Sequence, residues 1–263
     1  MRLMREVRCF PFGEPDCAGI NSWAGSPGNL GLQTFWALRA VVEGPVDPWT
    51  GYVCNIAEMD RLIRDAVPRL QVRATTGSLD VAGAAARLCA AYGLVAEQCP
   101  RPVTLFRLEW HISPFTSLAV GHGENHVIRL MQSFEFSASH RLFRRELSDD
   151  ENRRVFGKCS NLNGHGHNYV VEVTVSGEVD AGGTVIDLLR MQRIVKERVI
   201  DQFDHKNLNL DCEEFSALIP SIENIALVIW KRLHGAFEGS ELRNVRVWET
   251  PKTYAEIAGG SGA

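Results

Sequence analysis

KCSNLNGHGHNYVVEVTV, Lys158 to Val175, carries the densest chemistry in the chain. From Tyr169 onward, Tyr-Val-Val-Glu-Val reads as a β-strand. Side chains on a strand repeat every two residues, so His165 and His167 leave the same face. Upstream, FEFSASHRL (Phe134–Leu142) alternates in the same way and reaches His140 on a strand that can pair beside the first. Three neutral imidazoles from two adjacent strands suit Zn²⁺ with a vacant fourth position, the catalytic rather than the closed structural arrangement. An isolated His-x-His is more often solvated or satisfied in a core. The third His on a neighbouring strand shifts that balance.

Further chemistry flanks this centre. Cys159 lies six residues before His165 in an Asn- and Gly-rich segment, an exposed setting where a nearby cation favours thiolate. The other cysteines read as inert small hydrophobes. Asp204-His205, in QFDHKNLN, sets a carboxylate beside an imidazole that it can orient. Glu249 sits inside the apolar run VRVWET, which is costly unless the carboxylate is paired or binds a ligand.

The chain also reads as two colinear copies of one β-β-α-α-β-β unit, an α+β organisation over 1–128 and 129–258, with 259–263 expected to be a disordered tail. Each copy offers a strand ending in Gly (Gly44, Gly177) and a short apolar strand (Tyr52–Ile56, Thr184–Leu188). Each then has a helix opened by Ser (Ser78, Ser221) and ended near Gly (Gly93, Gly235). A strand with an embedded carboxylate closes each copy, Glu109 in the first and Glu249 in the second. Aligning Gly44 with Gly177 sets Ser26 opposite Cys159, Leu32 opposite His165 and Thr34 opposite His167. No His precedes His111, so the first copy cannot build the metal site. His122 and His126, in GHGENH at the junction, read as a flexible linker.

Composition narrows the class. The 263 residues are 45% hydrophobic and 23% charged, as in globular proteins, with a net charge of −4. That charge disfavours nucleic acid as a partner. No apolar run approaches the ~18 residues of a membrane span. The N-terminus lacks the apolar core of a signal peptide, and seven scattered Cys suggest reduced thiols, so a cytoplasmic protein is expected.

FSASH, FGKCSNLNGHGHNY, FDHKNLN, the Ser-x-Glu-Asn helix start and VWET occur in the order found in the 6-pyruvoyl-tetrahydropterin synthase family, which residues 134–256 resemble. The resemblance implies the T-fold, a four-stranded antiparallel sheet with two helices on one face, whose sheets close into a barrel on oligomerisation. It implies zinc held by His140, His165 and His167, and catalytic roles for Cys159, Asp204 and His205. It further implies a pterin-anchoring Glu249, with Glu223 and Ser221 near the substrate. The implied reaction converts 7,8-dihydroneopterin triphosphate to 6-pyruvoyl-tetrahydropterin with loss of triphosphate. The related 6-carboxytetrahydropterin synthase of the queuosine pathway also releases acetaldehyde. The five residues between Cys159 and His165 match the pyruvoyl type. A non-catalytic pterin-binding protein and a zinc-stapled assembly protein are the competing readings. Typical members have a single domain, so the appended first half departs from the family pattern. With two units per chain, a homotrimer or a multiple of it is expected.

Overall fold

The computed structural model describes residues 1–9, 36–70, 80–124, 126–180, 183–184 and 186–259. Ser26, Leu32, Thr34, Ser78 and the tail from 260 lie outside the described residues. The chain divides into two compact units, Met1–Leu130 with Gly177–Ile186, and Met131–Ser176 with Asp187–Ala263. Both are α+β with antiparallel strands.

The first unit runs β1 (Arg2–Cys9), β2 (Trp36–Glu43), α1 (Ile56–Leu70), α2 (Val81–Gln98), β3 (Thr104–Ser113) and β4 (Thr116–Gly121), with strand order β1-β2-β3-β4. Helix α1 buries Met59, Leu62, Ile63, Ala66, Val67 and Leu70, the i, i+3, i+4 stripe of a one-faced helix. Asp80 caps α2, accepting from Gly83 N at 2.7 Å. No strand forms over Tyr52–Ile56, because α1 already starts at Ile56. Gly93 lies inside α2 rather than at its end, since small and apolar residues continue the buried face to Val95. At the expected junction, His122 N donates to Phe106 O, and Gly123 and His126 both take positive φ.

The second unit is built on β5 (Val127–His140) and β6 (His165–Asp180), whose first and last residues respectively group with the first unit. Between them lies α3 (Asp149–Phe156), fixed by a Ser148/Glu151 capping box. After β7 (Gly183–Thr184) come α4 (Leu188–Val195), a π turn over Lys196–Ile200 and α5 (Asp201–Phe203). Thr184–Leu188 thus supplies only the end of a two-residue strand before α4 begins. Met191, Val195, Val199 and Phe203 are all buried, so the π turn keeps one apolar face across the junction. β8 (Lys206–Asn207), α6 (Leu208–Asp211), α7 (Ile222–Leu233), β9 (Glu241–Thr250) and β10 (Thr253–Ala258) complete the unit. Its strand order is β5-β6-β9-β10, with β8 parallel to β5. Ser221 caps α7, and Gly235, at φ +69°, follows its end.

The strand ladders of the two units share a register. Strand β2 pairs with β3 from Ala37↔His111 to Val41↔Arg107, then slips to Val42↔Leu105. Strand β6 pairs with β9 from Val170↔Trp248 to Thr174↔Asn244, then slips at the same place to Val175↔Leu242. β3 and β9 also have the same sequence of buried and exposed positions. This register sets Glu109 opposite Arg39 and Arg246 opposite Glu172, so Glu109 corresponds to Arg246. Ile112 occupies the place of Glu249. The expected equivalence of Glu109 and Glu249 is therefore wrong by three positions, because ladder pairing and the bulge set register, not a carboxylate in an apolar run.

Candidate metal centre and its cleft

Strand alternation builds the centre. Phe136, Ala138 and His140 face the core from β5; His165, His167 and Tyr169 share one face of β6. His140 is fully buried, and its Nδ1–H donates to Pro220 O at 2.7 Å. That bond leaves the Nε2 lone pair aimed inward. His140 Nε2 stands 3.1 Å from His165 Nε2, and one ligand atom from each of the three imidazoles falls within 4.8 Å of the others. Two nitrogens on a tetrahedral zinc stand about 3.3 Å apart. His165 Nδ1 and His167 Nε2 are buried without a hydrogen-bond partner among the described residues. An unsatisfied buried nitrogen is costly, and a cation would satisfy the His167 atom. Burial, reinforced by the neighbouring imidazoles, pushes His140 down to about 4, against the Pro220 bond that raises it. His165 is lowered chiefly by burial as well. Neutral imidazoles are the form that ligates, so the residues fit a divalent metal.

Glu249, near the end of β9, borders this cluster. Its Oε1 lies 3.5 Å from His140 Nε2 and 3.7 Å from His167 Nε2. Tyr169 stacks on Phe136 with its hydroxyl 3.4 Å from His140 Nδ1. Burial raises the Tyr169 hydroxyl, and the charges of Glu249 and Cys159 raise it further. Cys159 lies half-buried in a 3-10 turn, Gly157–Ser160. Cys159 O accepts from Leu142 N at 2.9 Å, and Ser160 O accepts from Arg141 Nε at 2.9 Å. The turn is thus tied to the residues that follow His140. Asn209 clamps the same segment, accepting from Arg141 N at 2.7 Å and donating to Arg141 O at 3.0 Å.

Asp204 and His205 meet at 2.8 Å between Oδ2 and Nδ1. Asp204 Oδ1 accepts from Ser137 N at 2.8 Å, and His205 N donates to Ser137 O at 2.6 Å with the residue at φ 58°. The Ser137 and His205 bonds hold the Asp204 carboxyl below its ordinary value. A cleft of about 480 Å³ is lined by Ser137, Ser139, His167, His205 and Lys206, so His205 and one residue of the cluster border one space. Ser221 is used as the α7 cap, accepting from Asn224 N, and Glu223 is exposed in that helix's first turn. Ser221 directly follows Pro220, whose carbonyl holds His140. Sequence reasoning missed Tyr169 and Pro220. The signal for Tyr169 was there, as the third member of the His165, His167 alternation. A proline carbonyl eighty residues from its partner leaves none.

The sequence profile of the 6-pyruvoyl tetrahydropterin synthase family matches residues 129–260. The chain belongs to this family. It is 43% identical over 131 residues to the human 6-pyruvoyl tetrahydrobiopterin synthase, covering 49% of this chain and 90% of that protein. A protein of Archaeoglobus fulgidus, provisionally named a 6-carboxy-5,6,7,8-tetrahydropterin synthase, is 44% identical over 100 residues, covering 38% of this chain and 78% of its own. The solved structure of the Caenorhabditis elegans 6-pyruvoyl tetrahydropterin synthase is 38% identical with a TM-score of 0.47, covering 51% of this chain and 96% of that one. The family match includes the three imidazoles and leaves residues 1–128 outside it. No described helix is long and apolar enough to cross a membrane.

Proposed function

We propose that this protein is a zinc-dependent lyase that converts 7,8-dihydroneopterin triphosphate to 6-pyruvoyl-tetrahydropterin with elimination of triphosphate. Family membership supports lyase chemistry on a pterin. The observation that carries the reading is the convergence of three imidazoles, with the Glu249 carboxylate beside them and His205, held by Asp204, on a cleft that His167 also lines.

Zinc, when bound by His140, His165 and His167, supplies Lewis acidity toward the side-chain hydroxyls of the substrate. Cys159, as thiolate, is the general base that takes the proton from the neighbouring carbon. The Asp204–His205 pair relays protons at the solvent-facing side of the cleft, with Asp204 fixing Nδ1 and leaving Nε2 to exchange. Glu249 holds the N–H edge of the ring by paired hydrogen bonds, so that the side chain lies over the imidazoles. Glu223 and Ser221 act at the substrate's edge.

The shared register of the β2–β3 and β6–β9 ladders supports a tandem duplication, with 1–128 a copy that lacks metal ligands and 129–258 the catalytic T-fold domain. The proposed assembly is a homotrimer or a multiple of it, which sedimentation measures directly. Incubating the purified protein with dihydroneopterin triphosphate tests the function. Pyruvoyl product with free triphosphate is expected. Carboxy product with acetaldehyde would reassign it to the queuosine-type reaction, and no turnover would leave a pterin-binding protein.

A further inference from the structure

We propose that a second cavity, of about 570 Å³, is a polyphosphate subsite whose cationic contacts are Arg144 and Arg145. This deepens the function proposed above and rests on it for the identity of the substrate.

Position is the first ground. Three separate segments line the cavity one residue away from the imidazole centre. Arg141 follows His140, Gly164 precedes His165, and Ile219 precedes Pro220, whose carbonyl holds His140. Gly164 has φ +67°, and a Cβ there would stand 2.7 Å from His140 O, so this close approach of the two segments requires glycine. A substrate reacting at the imidazoles can therefore place an extended tail in this space.

Charge is the second. Arg141, Arg144 and Arg145 line the cavity against the single carboxylate of Glu146. Arg141 is committed, bonded to Ser160 O and stacked over Phe143 with its Cζ 4.2 Å from the ring centroid. Arg144 differs. Asn152, itself buried, accepts from Arg144 N at 2.8 Å and donates to Arg144 O at 2.9 Å and to Leu147 O at 3.0 Å. Its backbone is therefore fixed. Among the described residues, neither the Arg144 nor the Arg145 guanidinium has a carboxylate partner. Fixed backbone with unpaired guanidinium heads is the preorganised form of an anion site. Phe143, Leu162 and Phe215 supply apolar walls, which strengthen charge interactions inside.

The test uses the full-length protein and inorganic triphosphate, titrated by calorimetry into wild type, the Arg144→Gln/Arg145→Gln double variant, and an Arg153→Gln/Arg154→Gln control that removes the same charge from exposed α3 positions. The expected result is about tenfold or greater weakening of triphosphate binding in the first variant, with zinc content unchanged and the control like wild type. KM for the pterin triphosphate rises in parallel. Equal affinities in wild type and the first variant, or equal losses in both variants, would overturn the subsite. Turnover of the pterin triphosphate with unchanged KM in the first variant also overturns it while leaving the lyase reading intact. Arginine-dependent triphosphate binding without any turnover supports the subsite and removes the lyase reading.

Discussion

Glu109 and Glu249 each interrupt an apolar strand, yet the two carboxylates meet opposite surroundings. Glu109 is boxed by basic groups: Arg107 Nε at 2.7 Å, His111 Nε2 at 3.2 Å and Arg39 Nη1 at 4.0 Å. Arg39 in turn binds Glu6 on β1. At the matching register of the second unit, Glu172, Arg246 and Glu256 form a row, with the signs exchanged at the positions of Arg39 and Glu109. A cross-strand ladder works in either polarity, so Glu109 belongs to structure. Glu249 is 21% exposed and pairs, among the described residues, with no Arg or Lys, only with the edges of two imidazoles. A carboxylate placed against prospective metal ligands and left without a guanidinium is poised for a ligand. The lesson is that the residue type says little until the ladder partner is known.

The largest effect is expected at Cys159, in the unit that holds Glu249. Cys159→Ala should keep its zinc, measured by metal analysis, and lose turnover by about 10²–10⁴-fold if the thiolate is the base. Wild-type turnover in that variant would remove the assignment. Next come the two carboxylates as a pair. Glu249→Gln should lower kcat/KM by about 10²-fold with the melting temperature unmoved, since paired charge-assisted bonds to the ring are lost. Glu109→Gln should do the reverse, leaving kcat alone and costing about 1–3 kcal/mol in urea unfolding, because two guanidinium groups lose a half-buried carboxylate. If both variants behave alike, the contrast is wrong.

A smaller effect is expected at Asn209, whose side chain clamps Arg141 just after His140. Asn209→Ala should weaken zinc affinity by about 10-fold while Asn209→Asp, which keeps the acceptor, loses less. Competition with a chromogenic chelator reads this directly, and equal affinities in all three proteins would reduce the clamp to ordinary packing. The smallest effect is in pH. Burial pulls Glu109 upward, but the His111 bond and the charges of Arg107 and Arg39 outweigh it, so its folded value lies below the ordinary 4.5. A depressed carboxylate stabilises above its unfolded value and loses that contribution as pH falls through the folded one. The stability gap between wild type and Glu109→Gln should therefore be full near pH 7 and shrink only below about 4.5. A gap that widens in acid would contradict it.

Much of this was legible in the sequence because strand periodicity is local. The alternation through Phe136, Ala138 and His140, and through His165, His167 and Tyr169, places three imidazoles on core-facing sides without any knowledge of the fold. The α1 stripe and the Ser221 cap are equally local signals. What stayed hidden depends on distant backbone. Ser137 holds both Asp204 and His205, and Pro220 orients His140, through main-chain atoms that carry no residue signature. The same holds for the bulges between Val41 and Val42 and between Thr174 and Val175, which decide that Glu109 matches Arg246. Gly93 misled because a permissive residue in a helix interior looks the same as one at its end.

The most direct test of the account is the zinc content of freshly purified wild type beside the single variants His140→Ala, His165→Ala and His167→Ala, with circular dichroism as the check on folding. The account predicts one zinc per chain in wild type and little or none in each folded variant. A metal-free wild-type protein, or variants that retain full zinc, would contradict it.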